Sequence, residues 1–436
     1  MKVVGLHFRL DRRRIAVVVM LLVLVVVAGC QERSDGRVET PTPLNTATPQ
    51  EEVAPPPTPT PGVVELVVWS PAALSPRAEE DAGALLARQI ASFEAAHPSI
   101  TVRYEPKAAQ GESGLLQFLR AASTVAPGAL PDVIIFPSDD FDDAAQAELL
   151  APLDSLIAPD VVQAMYPFAQ RGAMLGDRLL ALPLVVTVEH IVYRARGAEP
   201  PPRTWAEFLG GQQRLLFAAG RDGQVNDAIW LQLLAVTSDG ASDGEMPEVE
   251  ALRPILEFFA AGRSRGLISP NAAELSDASA LWALFVDGQA ELLEIDARTF
   301  MTRRDRLEGL EYTHVPTRNG LPLTVAAGYL VAVTTNDPLR QQAAAAYLGW
   351  LLAPEQLAPY AAVTGWLPPR PDALDAAVAD EGYRRFLDGL LGQARLRPGD
   401  PQWTAVSEVV EEQVRAVLLG ERTADEAVEV LHERLR

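Results

Sequence analysis

The chain contains a single cysteine, Cys30, so no internal disulfide can staple it and whatever folds must be held by burial alone. Cys30 closes the stretch Val27-Ala28-Gly29-Cys30, behind Arg12-Arg13-Arg14 and an apolar run from Ile15 to Ala28. The run falls short of the ~20 apolar residues that a transmembrane helix needs. With arginines holding its near side in the cytoplasm, residues 1–29 read as a secretory signal. Everything beyond Cys30 is then expected outside the cytoplasm. Residues 30–62 are polar and rich in proline and threonine, with Pro41, Pro43, Pro49, Pro55, Pro56, Pro57, Pro59 and Pro61. Such a segment cannot bury enough apolar surface to offset its ordering entropy. It is expected to be an extended tether, reaching up to roughly 100 Å at ~3.1 Å per residue.

About 370 residues remain after the tether, a length that suggests two domains or two lobes. With 48% hydrophobic and 22% charged residues, these can build large cores. The formal net charge is −21, a field that repels polyphosphates, so nucleic acid and anionic lipid surfaces are poor partners. Lysine occurs only at Lys2 and Lys107, and arginine carries nearly all the positive charge.

The folded part opens on a β-branched run, Val63 to Trp69, typical of a buried strand. A helix follows with Leu86, Ile90 and Phe93 on one face, stopped at Pro98, then a strand from Ile100 to Tyr104. A second helix (115–122) leads to an apolar strand between Pro131 and Pro137. This β-α-β-α-β order predicts an open, mostly parallel sheet covered by helices on both faces. Ligands collect at the carboxyl ends of such strands, which points to Trp69 with Ser70 and to Ser138-Asp139-Asp140. A β-rich run from Leu184 to Tyr193 precedes a second α/β alternation. Strands are expected at 214–218, 289–295 and 328–334, and helices at 227–236, 249–261, 278–287 and from Asp337-Pro338 to Leu352. Thr204 with Glu207 and Thr423 with Glu426 have capping-box spacing. At the end of the chain Val406, Val409, Val410, Val414 and Val417 share a helical face.

Catalytic signals are thin. Gly262-Arg263-Ser264-Arg265-Gly266 fits the pattern of a nucleophile elbow, but an amphipathic helix precedes the serine where a strand is required. His7, His97, His190, His314 and His432 lack metal-ligand spacing. The pair Asp139-Asp140 is ordinary in so acidic a chain and does not by itself make a glycosidase. No enzyme activity, metal or cofactor is expected.

Several stretches carry a resemblance. The end of the signal, Val27-Ala28-Gly29-Cys30, is similar to the lipobox of bacterial lipoproteins, which implies cleavage before Cys30 and its acylation. In the folded part, the stretches are Asp177 to Pro183 (DRLLALP), Pro202 to Phe208 (PRTWAEF), Phe285 to Leu292 (FVDGQAEL), Ala345 to Leu348 with Leu352 to Gln356 and Gly365 to Arg370, and Gly420 to Ala427 (GERTADEA). In this order they resemble the extracellular solute-binding proteins of ABC importers, in the family containing the maltose/maltodextrin-binding protein.

That resemblance implies a type II periplasmic-binding-protein-like α/β fold, with two lobes joined by crossing hinge strands around a cleft. The run Val185 to His190 resembles the first crossing and Leu323 to Gly328 the second. Lobe one is then expected at 63–186 plus 328–370, and lobe two at 187–327 plus 371–436. The resemblance further implies a small-molecule solute such as a mono- or oligosaccharide, ABC permease subunits as partners, a membrane contact through Cys30 and a monomeric state. By position, Glu189 matches a carboxylate that reaches sugar hydroxyls in the family, a task suited to a strong multiple acceptor. The chain departs from the pattern at Tyr193-Arg194-Ala195, and at Glu294-Ile295-Asp296 where an aromatic pair is usual. A polyamine or other cationic ligand, and a sensor or scaffold role without import, therefore remain open.

A pyranose needs an aromatic face for its C–H surface and polar forks for its hydroxyls. The candidate ligand contacts are Trp69, Ser70, Asp139, Asp140, Glu189, Trp230, Asp296, Tyr329 and Trp366. For Trp69 and Asp139 the plain alternative is strand-end packing, and for Trp230 it is a place in a helical core. Trp205, Trp282, Trp350 and Trp403 lie within helical periods and are assigned to packing.

Overall fold

The computed structural model describes residues 62–435 apart from 79, 112, 172, 196–199, 221–226, 238–246 and 397–400. The signal, Cys30 and nearly all of the tether lie outside the described residues, and so do the readings made of them. Among the described residues no helix is long and apolar enough to cross a membrane.

The opening β-branched run forms β1 (Val64–Pro71), which pairs in parallel with β2 (Ile100–Lys107) and β3 (Val133–Pro137). Helices Glu80–Ala96 and Leu115–Val125 make the connections. Strand alternation sends Leu66 and Val68 to one side, into a core with Leu86, Ile90 and Phe93. Val67 and Trp69 go to the other side, against Leu115, Leu116 and Leu119. Both faces of this sheet are covered, as its unbroken apolar strands require.

The sheet is mixed rather than mostly parallel. β5 (Arg178–Arg194), which forms a hairpin with β4 (Ala173–Leu175), carries the chain across to a second body of sheet. β9 (Thr324–Val333) carries it back. A strand that leaves and a strand that returns through one crossing must be antiparallel, and β9 also runs antiparallel to β3. Beyond the crossing, β5 pairs with β7 (Leu292–Asp296) and β8 (Leu310–Thr313), and β6 (Leu215–Leu216) lies parallel to β7. The strand order is β2-β1-β3-β9-β5-β7-β6, with the short β10 (Ala394–Arg395) on the first residues of β9. The result is two α/β bodies that share β5 and β9.

Around the second body, helices Asp227–Thr237, Val249–Ser264, Pro401–Leu419 and Ala424–Arg434 build a separate core. Val406, Val409, Val410, Val414 and Val417 all lie in it. Both capping boxes form, and Asp337 accepts hydrogen bonds from the backbone N–H groups of Leu339 and Arg340 to start helix Pro338–Leu351. Ser264 sits near the end of a helix and donates its hydroxyl to the Ala261 carbonyl, so the serine pattern has no strand before it and no elbow.

The stretch between Ile295 and Gly328, which showed no sequence period, contains helix Ala297–Arg303 and strand β8. Each is too short to repeat a pattern. His190 is fully buried among Phe300, Tyr383 and Phe386. Its Nε2 lies 2.8 Å from the Tyr383 hydroxyl and its Nδ1 3.2 Å from the Ile191 carbonyl. Burial pulls its pKa down to about 4 and keeps the ring neutral.

Candidate ligand cleft

Between Leu179 and Val192, β5 is buried at every residue except Thr187 and Glu189, which are half-exposed. On β9 the half-exposed residues are Ala327, Gly328 and Tyr329. The two openings meet at one pair, Thr187 opposite Ala327, while Gly328 and Tyr329 stand opposite the buried Val186 and Val185. Solvent therefore reaches the paired strands where they cross between the two bodies. Three further segments converge there. Val186 exchanges backbone hydrogen bonds with Leu367 at 2.9 and 2.7 Å, which brings Trp366 to the crossing. The Gly328 N–H donates to the Ser138 hydroxyl at 3.2 Å, which brings the end of β3. Glu189 stands opposite Asp296 at the end of β7.

On one side of this cleft the Tyr329 and Trp366 rings meet edge to face, 5.5 Å between centroids and 81° between planes. The Arg298 guanidinium lies 4.6 Å from the centre of the Trp366 ring, and its Nε donates to the Thr364 carbonyl at 3.2 Å. Gly365 makes that approach possible. Its φ is +72°, and a Cβ there would stand 3.0 Å from the Thr302 methyl group. Burial raises the Tyr329 hydroxyl pKa, partly offset by Arg298, so the group is a neutral donor and acceptor at physiological pH.

Asp296 caps the helix that carries Arg298, Ala297–Arg303, accepting from the Thr299 N–H at 3.0 Å and from the Thr187 hydroxyl at 3.2 Å. Thr187 in turn accepts from the Arg298 N–H at 3.2 Å. At the end of β3, Asp139 is exposed and Asp140 half-buried. Burial, then the charges of Asp139 and Asp143, raise Asp140 to about 6, against the opposing pull of Arg120.

The structure thus brings Glu189, Asp296, Tyr329 and Trp366 to one crossing, while Asp139 and Asp140 follow Ser138 at the end of β3, with Asp140 among the charges of Asp139, Asp143 and Arg120. Three other sequence candidates are corrected. Trp69 is 5% exposed, its indole N–H donates to the Glu105 carboxylate at 3.0 Å, and its ring packs under Lys107. Trp230 is 2% exposed and packs edge to face on Trp403 in the second core. Ser70 is fully buried, and its hydroxyl has no partner among the described residues. All three sit near strand or helix ends, but the neighbouring elements close over them. Arg298 and Thr187 were not singled out from sequence. The signal available was the Asp296 cap two residues ahead of Arg298, once β7 is known to end there.

The sequence profile of the family described as "Bacterial extracellular solute-binding protein" matches residues 88–383. The chain belongs to this family. Membership places it outside the cytoplasm and among binding proteins rather than enzymes. Solved structures share the fold. The cyclic alpha-maltosyl-1,6-maltose binding protein from Arthrobacter globiformis is 18% identical, with a TM-score of 0.68 over 86% of this chain and 98% of that one. The sugar-binding protein MalE from Xanthomonas citri is 17% identical, with a TM-score of 0.68 over 85% and 96%. Maltose-bound MalE3 from T. maritima is 17% identical, with a TM-score of 0.65 over 85% and 99%. In this solute-binding protein the crossing joins an aromatic pair to a set of carboxylates. Among the described residues no group of three or more His, Cys, Asp or Glu could hold a metal ion.

Proposed function

We propose that this solute-binding protein is the capture component of an ABC importer, anchored by a lipid on Cys30. In this reading residues 63–186 with 328–370 form one lobe and 187–327 with 371–436 the other. They close over a small polyhydroxylated solute such as a mono- or oligosaccharide, and the loaded protein docks on permease subunits. The observation that carries this reading is the meeting of the half-exposed windows of β5 and β9 at the Thr187–Ala327 pair, beside Tyr329 and Trp366. The proteins named above that share the fold bind maltose and cyclic alpha-maltosyl-1,6-maltose, which supports a sugar. A ligand stabilises the closed state only through contacts that the open state lacks, so both lobes must supply some. Tyr329 and Trp366 would do so from one side, Glu189 and Asp296 from the other.

Trp366→Ala tests this by removing an aromatic face at the crossing. Titration calorimetry with glucose, glucosamine, maltose and maltotriose should find a ligand that the wild type binds and the variant binds ~10- to 100-fold more weakly. Binding that is unchanged in the variant would exclude the crossing as the ligand site.

A further inference from the structure

Arg298 is an exposed arginine at the crossing, and it is held in place along its whole length. Its backbone N–H donates to Thr187, the half-exposed residue of β5, at 3.2 Å. Its Cγ and carbonyl oxygen back onto Gly365, where a Cβ would stand 3.4 and 3.6 Å from them. Its Nε donates to the Thr364 carbonyl at 3.2 Å, and its guanidinium lies 4.6 Å from the centre of the Trp366 ring. The positive charge reaches the hydroxyls of Tyr329 and Tyr360 and opposes the rise that burial gives them. Among the described residues, Nε is the guanidinium nitrogen that hydrogen-bonds, and no carboxylate forms an ion pair with the group.

Counter-ions are plentiful in this chain, where acidic side chains outnumber basic ones by 58 to 37. The crossing's own carboxylates are nevertheless engaged elsewhere. Asp296 accepts from the Thr299 N–H and the Thr187 hydroxyl, and Glu189 has a partner of its own. The two Nη groups of Arg298 are thus left to solvent beside an aromatic pair. A guanidinium presents paired N–H groups that match the two oxygens of a carboxylate. Because Trp366, Thr364 and Thr187 already hold it, little side-chain freedom is lost when it binds.

Resting on the capture reading above, we propose that the solute is an acidic sugar, a uronate, whose carboxylate is bound by the two Nη groups of Arg298 beside Tyr329 and Trp366. The net charge of −21 repels any anion from afar. Physiological salt screens that field beyond about 8 Å, so the cation in contact with the ligand decides. The residual repulsion grows with ligand charge, which favours a carboxylate monoanion over a phosphate dianion.

The test is titration calorimetry of the full-length chain at pH 7 and physiological salt. The probes are glucuronate and galacturonate, their neutral counterparts glucose and galactose, maltotriose, and glucose 6-phosphate. One of the uronates should bind ~10-fold or more tightly than its neutral counterpart. Arg298→Gln should bring that ratio close to one, and Arg298→Lys, which keeps the charge without the fork, should restore part of it. Arg303→Gln removes the same charge from the same helix, where Arg303 bonds the Ser279 hydroxyl, and should leave the uronate affinity within about twofold. An Arg298 that merely braces the Gly365 turn would instead weaken acidic and neutral sugars alike in Arg298→Gln, leaving the ratio as it was, and that result overturns the inference. So does glucose 6-phosphate binding more tightly than either uronate. If glucose, galactose or maltotriose binds as tightly as the uronates, the inference fails while solute capture stands. If no sugar binds, acidic or neutral, both fail.

Discussion

Gly328→Ala will destabilise the protein by about 3 kcal/mol or more, at the upper end for a single methyl group. Gly328 sits where β9 passes β5, and a Cβ built on it falls well inside contact distance of the Val185 carbonyl oxygen and 2.8 Å from the Val186 Cα. The obstructing atoms are backbone, so no rotamer change can make room. The strands must move apart, and the hydrogen bond from the Gly328 N–H to Ser138 goes with them. Because the same pairing joins the two bodies, the variant should lose ligand binding in proportion. Gly349, within helix Pro338–Leu351, is the control. A Cβ there meets nothing within 4 Å, so Gly349→Ala should raise stability by roughly 0.5–1 kcal/mol. Chemical denaturation of the two variants checks both signs. A Gly328→Ala protein as stable as wild type would show that the strands do not pass so closely.

Glu294→Gln will stabilise the ligand-free protein, and by more as pH rises. The folded-state pKa of Glu294 is about 8, above the ordinary 4.5, so holding the proton that the unfolded chain would release begins to cost stability as pH passes the unfolded value. The cost grows until pH passes the folded value and is then constant, at a magnitude on the order of 4 kcal/mol. For a chain of this size that is roughly 5 °C in Tm. Wild type and variant should therefore melt together near pH 4.5 and diverge up to pH 9. His190 acts in the opposite sense. Its pKa of about 4 lies below the ordinary 6.5, so its contribution is complete above 6.5 and is lost as pH falls through 4. Because His190 is present in both proteins, the difference between their melting curves isolates Glu294. A difference that stays flat between pH 4.5 and 9 would mean that Glu294 is not desolvated.

Much of the fold was legible because its signals are local. The β-branched run of β1, the proline-bounded β3 and the valine face of helix Pro401–Leu419 each carry a period or a boundary in their own residues. The direction of β9 was not legible. It depends on β5 and β9 sharing one crossing, which is a long-range fact. The same limit governs the cleft. Tyr329 and Trp366 could be nominated because an aromatic beside a glycine in a turn or crossing is conspicuous. For Trp69 and Trp230 the sequence left packing open as the alternative, and the structure takes it, since Glu105 with Lys107 and Trp403 close over them. Arg298 was overlooked because nothing in its neighbours announces that a ring 68 residues later will lie under its guanidinium. Glu294 registered only as a departure from the family's pattern. That its Oε1 has no hydrogen-bond partner among the described residues is a property of packing.

Small-angle X-ray scattering, with and without a solute whose binding calorimetry has established, tests the central claim most directly. Closure of two lobes about the β5–β9 crossing should lower the radius of gyration by about 1 Å and alter the mid-angle profile. Superimposable curves with the ligand saturating would contradict it.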